Sequence, residues 1–112
     1  MDERERVMQC IEDCLQCAGI SAHCSAHCLG MGGEHASKQH QGIMRDCAEI
    51  CAVAASFMAR QSTHAPHICR ECAEICRECG KSCERMAHGD KVMTRCAQMC
   101  FRCAESCSAM SR

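Results

Sequence analysis

Residues 69–83 read Cys-Arg-Glu-Cys-Ala-Glu-Ile-Cys-Arg-Glu-Cys-Gly-Lys-Ser-Cys, which sets Cys69, Cys72, Cys76, Cys79 and Cys83 at spacings that alternate between three and four. That rhythm is the inward seam of a bundle helix, whose a and d positions face the axis. It runs on to Met86 and recurs three times elsewhere in the chain. Cys10, Cys14, Cys17, Ser21, Cys24 and Cys28 form one series, and His40, Met44, Cys47, Cys51, Ala54 and Met58 a second. Met93, Cys96, Cys100, Cys103, Cys107 and Met110 form the last. A Cys-Ala-Glu-Ile-Cys unit stands at 47–51 and again at 72–76. Cys96-Ala-Gln-Met-Cys100 and Cys103-Ala-Glu-Ser-Cys107 are its relatives, as duplicated helical hairpins would leave them.

The stretches between the seams carry the punctuation. Asp2 and Glu5 read as a capping box, Gly30 and Gly89 suit the left-handed residue just past a helix end, and Pro66 suits a first helical turn. The spacing predicts helices over 3–29, 38–61, 66–88 and 90–111, joined by connections short enough for antiparallel neighbours. The expected fold is all-α: one domain over 1–112, an antiparallel up-down-up-down four-helix bundle with a Cys-lined core.

Composition supports a core made of sulfur. Of 112 residues, 16 are Cys and nine are Met, with two Phe and no Trp or Tyr. Only 11 Val, Ile and Leu are present, too few to fill a conventional interior. The 13 basic and 14 acidic side chains balance, and no basic stripe with interleaved aromatics is present, so nucleic acid is not an expected partner. No apolar run has the length of a membrane span, and the charged start over residues 1–6 lacks the apolar stretch of a signal peptide. A cytoplasmic location is therefore expected, where thiols stay reduced and dense Cys points to metal or redox chemistry.

Soft thiolates select Cu(I), Zn(II) or Fe–S clusters, and charge separates these. One Cu(I) per thiolate leaves the core neutral, whereas four tetrathiolate zinc sites would bury eight negative charges with no inward Lys or Arg. The Cys-Pro ending of bacterial ferredoxin motifs is absent, because Pro66 follows no Cys. A thiol redox sensor or reservoir is the other alternative, but it calls for an exposed thiolate of low pKa, which a buried seam does not offer. Sixteen thiols also exceed what inert, hydrophobe-like cysteine would explain. Disulfides between adjacent turns of one helix would close only tiny loops. No constellation for hydrolysis or group transfer is present, so no enzymatic activity is expected. Without metal, the bundle is expected to lean on Ala-faced helix contacts and on Ile11, Leu15, Ile50, Phe57, Ile75 and Phe101.

The remaining Met and His residues gather by topology. An up-down bundle brings loops 30–37 and 88–90 to one end, where Met31, His35, His40, Met44, Met86, His88 and Met93 converge. Thioether and imidazole bind copper without losing a proton at neutral pH, so this end reads as an entrance built on His40, Met44, Met86 and Met93. At the other end stand Met58, His64, His67 and Met110, with Phe57 and Ile68 as a plug. His23 and His27 fall off the seam and are expected on the surface.

The Cys-Ala-Glu-Ile-Cys and C-x3-C-x2-C-x3-C spacings on four consecutive helices resemble the cytosolic bacterial copper storage proteins, four-helix bundles filled with Cu(I). The resemblance spans nearly the whole chain. It implies several Cu(I) ions, a role in copper homeostasis and detoxification, and a homotetramer of bundles. It assigns ligand roles to Cys10, Cys14, Cys17, Cys24, Cys28, Cys47, Cys51, Cys69, Cys72, Cys76, Cys79, Cys83, Cys96, Cys100, Cys103 and Cys107. Ser21, Ala54 and Met58 interrupt the sulfur seam. Since the gaps lie mainly on the second helix, only partial filling is expected in the half of the tube near Phe57.

Overall fold

The computed structural model describes residues 1–112. Four helices, α1 (Glu3–Met31), α2 (Lys38–Ala59), α3 (Ala65–Ala87) and α4 (Lys91–Met110), run up and down in turn and form a four-helix bundle without strands. The longest has 29 residues, which at about 1.5 Å per residue matches the 43 Å long axis of the molecule.

Capping explains where the helices begin. Asp2 accepts from the Glu5 amide while the Glu5 carboxylate accepts from the Asp2 amide, the reciprocal box read from the sequence. Ser37 and Asp90 cap α2 and α4 through the amides of His40 and Met93, and Pro66 stands in the first turn of α3. The helix ends differ from expectation by one to two residues. Gly30 continues α1, and the chain turns at Gly32 and Gly33, with φ of 74° and 56°. A single 3₁₀ turn, Gly33–Ala36, then fills part of the first connection. At the α3 end His88 takes the left-handed conformation, φ 44°, and Gly89 follows at φ 87°.

The helices approach most closely within the α1–α2 and α3–α4 hairpins. In the second hairpin the reason is local: Ala73 and Gly80 on α3 and Ala97 and Ala104 on α4, each pair seven residues apart, are buried small residues. A Cβ on Gly80 would meet Phe101 ring carbons at 2.8–3.0 Å, so the ring lies directly on the bare glycine backbone. Across the bundle, α1 and α4 are tied by Asp13, a carboxylate only 2% exposed. It accepts from Ser106 Oγ at 2.5 Å and Gln9 Nε2 at 3.1 Å, with Arg102 Nε at 3.5 Å.

Two apolar residues assigned to packing do not serve it. Leu15 is 56% exposed on the outer face of α1. Phe57 is half-buried beneath the Arg60 guanidinium, 4.3 Å from its ring centroid. The buried end of α2 is Ala54, Ala55 and Met58 instead, because the seam positions, and not the largest side chains, point inward.

Candidate metal centre

All sixteen cysteines are free thiols and all are buried, none more than 1% exposed. The 4-3 spacing brings each sulfur to the axis, where its nearest partners lie mostly on other helices. Cys14 and Cys107 are 3.4 Å apart, Cys51 lies 3.7 Å from Cys72 and 3.6 Å from Cys76, and Cys17 is 3.8 Å from Cys47. Within one helix, Cys72 and Cys76 approach to 3.8 Å. The sulfur structure is therefore chiefly interhelical, which spacing along one helix does not reveal.

These contacts resolve into five groups whose ligand atoms all lie within 4.8 Å of one another. Three have four thiols: Cys14, Cys72, Cys103, Cys107; Cys17, Cys47, Cys51, Cys76; and Cys51, Cys72, Cys76, Cys103. Two have three: Cys47, Cys79, Cys100, and Cys24, Cys83, Cys96. The first group takes no member from α2, where Ala54 and Met58 follow Cys51 on the seam, and α1, α3 and α4 complete it unaided, although Cys51 lies 3.7 Å from Cys72 and 3.8 Å from Cys103. The α2 gaps thus leave a four-thiol group standing at that end. Outside it, Cys10 lies 3.8 Å from Cys107, and Cys69 is close to Cys107 as well.

Hydrogen bonds between thiols pull some members of the core down, as at Cys96 and Cys103, and push others up. Burial pushes the Cys28 thiol above its ordinary pKa. Cys24 is pushed up too, by hydrogen bonds to Cys83 and Cys96 and by burial. A core of protonated thiols is neutral, and it stays neutral when each proton is exchanged for a singly charged soft cation.

At the end formed by the first and third connections, His40, Met44, Met86 and Met93 are all buried. His40 Nδ1 is 2.7 Å from Ser82 Oγ, while Nε2 is buried with no hydrogen-bond partner. Burial, with His35 and Arg85 nearby, lowers the His40 pKa, so the ring is held neutral with an open nitrogen. His35 lies above, its Nε2 3.3 Å from the Met86 carbonyl. Met31 and His88 are exposed and do not join them. His23 is exposed as expected, but His27 is half-buried and joined to Asp90 at 2.8 Å, which lowers the Asp90 pKa. At the opposite end His64 and His67 are exposed, Ile68 packs partly buried against the core, and Met58 is buried.

Comparison with known proteins agrees with this geometry. The profile of the family described as copper storage protein matches residues 3–112. A Bacillus subtilis (strain 168) protein described as the uncharacterized cysteine-rich protein YhjQ is 37% identical over 79 residues, 70% of this chain and 73% of its own. The Cu(I)-bound copper storage protein BsCsp3, from Bacillus subtilis, superposes with a TM-score of 0.87 at 36% identity, covering 96% of this chain and 99% of its own. A cytosolic copper storage protein from Streptomyces lividans, solved with five coppers, gives a TM-score of 0.86 at 27% identity over 96% of this chain and 93% of its own.

Proposed function

The chain belongs to the copper storage protein family, and from that premise we propose that it sequesters multiple Cu(I) ions on the thiolates of its core. The observation that carries this reading is the burial of all sixteen thiols, thirteen of them in close groups of three or four. Every Cys of the four seams is assigned as a ligand. Each Cu(I) displaces one thiol proton, so the interior gains no net charge and avoids the penalty of buried uncompensated ions. Zinc or an iron–sulfur cluster in the same groups would leave negative charge with no inward cation to offset it.

The ions enter past His40, Met44, Met86 and Met93, and the unpartnered His40 Nε2 supports this route because a neutral imidazole nitrogen binds copper without releasing a proton. The protein acts by holding the metal and not by catalysis. The Streptomyces relative is described as cytosolic, no helix here is long and apolar enough to cross a membrane, and the store is placed in the cytoplasm. Homotetramer formation is part of the reading, and exposed Met8 and Leu15, seven residues apart on the outer face of α1, offer apolar surface for it.

X-ray absorption at the copper edge on the anaerobically loaded protein tests the proposal. Cu(I) with a sulfur-dominated environment is the expected result. Copper held mainly by oxygen and nitrogen, or present as Cu(II), would overturn it.

A further inference from the structure

Four polar side chains are buried in the bundle, and two of them, His40 and Ser82, meet between α2 and α3, with His40 Nδ1 2.7 Å from Ser82 Oγ. His40 is the first seam position of α2. Ser82 stands one position off the α3 seam, beside Cys83. It lies in an open groove between the two helices, lined also by Lys38, Gly42, Lys81 and Arg85. The groove leaves Ser82 9% exposed, while His40 is 2% exposed.

A neutral imidazole has one N–H and one lone pair, and the partner of one nitrogen decides which of the two the other carries. Nε2 of His40 is buried with no hydrogen-bond partner. A proton there would be a buried donor left unpaired, a costlier orphan than an unpaired acceptor. With the proton on Nδ1, the ring donates to Ser82 Oγ and Nε2 keeps its lone pair. This is the reverse of the tautomer that a histidine side chain prefers in water. Burial, with His35 and Arg85 nearby, keeps a second proton off the ring. Met44 is one turn from His40 on α2, Met86 is one turn from Ser82 on α3, and both are buried. Cys96 also lies near the ring. The open nitrogen therefore belongs to the step between the thioethers of the mouth and the first thiols.

We propose that Ser82 is a positioning residue for copper entry: its hydroxyl oxygen accepts the Nδ1 proton of His40 and so holds the imidazole in the tautomer and orientation that offer Nε2 to an incoming Cu(I). This rests on the entry route given above and adds the group that keeps its one buried nitrogen open. His40 lends an electron pair, and no proton moves at this step. The proton leaves later, from the thiol that takes the ion. Ser82 itself does not touch the metal. Without its oxygen, Nδ1 has no acceptor, and the ring turns or carries its proton on Nε2. Partners that fix a metal-ligating histidine through its second nitrogen typically contribute about 10–100-fold to metal affinity or activity. A bond that only pinned α2 to α3 would act in the other direction: its loss would loosen the mouth and leave loading as fast or faster.

The tautomer is read first, by NMR of the ring nitrogens in the reduced apo protein with isotope-labelled histidine. His40 should carry its proton on Nδ1 in the wild-type protein and shift it towards Nε2 in Ser82→Ala. Stopped-flow loading from a chromophoric Cu(I) complex then reads the role. Ser82→Ala should load about tenfold or more slowly while reaching the wild-type capacity, and Ser82→Thr, which keeps the hydroxyl, should restore the rate. In a His40→Gln background, Ser82→Ala should slow loading no further. A wild-type His40 proton on Nε2 would overturn the proposal, and this reading needs no variant to fold. Loading of Ser82→Ala at the wild-type rate or faster would overturn it too, as would equal slowing with and without His40. A His40→Gln protein that loads as fast as the wild type would instead overturn the entry route, and a wild-type protein that takes up no copper would overturn the storage reading.

Discussion

Replacing Cys47 and Cys51 together with Ala should lower copper capacity by more than the two thiols removed. Cys47 and Cys51 belong, singly or together, to three of the five thiol groups. Without them the Cys17 group keeps two of its four sulfurs, the Cys72 and Cys76 group three of four, and the Cys79 and Cys100 group two of three. Only Cys14, Cys72, Cys103, Cys107 and Cys24, Cys83, Cys96 survive whole. The fold should persist. Removing one buried heavy atom costs about 1 kcal/mol, so the pair costs about 2 kcal/mol, against a domain stability of about 5–15 kcal/mol. Native mass spectrometry of the anaerobically loaded proteins counts the ions directly, with circular dichroism to confirm helicity. Unchanged capacity would remove α2 from the store. A loss of only two ions would show that the thiols act singly and would refute the argument from shared groups.

Other consequences concern the mouth, the hairpin seam and pH. Met44 and Met93 are fully buried, so truncation to Ala would open cavities; Met44→Leu with Met93→Leu keeps the volume and removes the thioethers. That double variant should load Cu(I) more slowly in stopped-flow measurements while reaching the same capacity, and equal rates would exclude entry by this route. Gly80→Ala drives a methyl into the Phe101 ring, and overpacking of about 1–3 kcal/mol should exceed the roughly 1 kcal/mol gained in helix propensity. A lower apo melting temperature is expected, and an unchanged or higher one would show that the ring yields freely. His40 has a lowered pKa in the fold, so the unfolded chain binds its proton first as pH falls through about 6.5. Apo stability should therefore drop from pH 7.5 towards pH 5 more steeply in the wild-type protein than in His40→Gln, and parallel pH profiles would contradict the burial argument.

Much of this fold was legible because one residue type marks the seam. Cysteine at a and d on all four helices made the period unambiguous, and Asp2, Glu5, Pro66 and Gly89 fixed most boundaries by local chemistry. Gly30 misled, since helix propensity alone does not stop a helix when Gly32 and Gly33 follow to take the positive φ. Leu15 and Phe57 misled because hydrophobicity does not determine which face of a helix turns inward. The identity of the candidate ligands was also readable, whereas their grouping was not. Which sulfur meets which depends on the vertical offset between helices, and Asp13 with Ser106, or His27 with Asp90, join positions far apart in the chain for the same reason. Ser21 was visible only as a missing cysteine; its contacts with Cys47 on α2 and with Cys96 and Cys100 on α4 required the packed bundle.

The most direct measurement is an anaerobic titration of the fully reduced apo protein with Cu(I) against a chromophoric competitor chelator. Tight binding that saturates near one Cu(I) per cysteine, sixteen thiols in all, is the predicted result. Saturation after only a few ions, or copper lost readily to the competitor, would contradict the assignment of this core as a copper store.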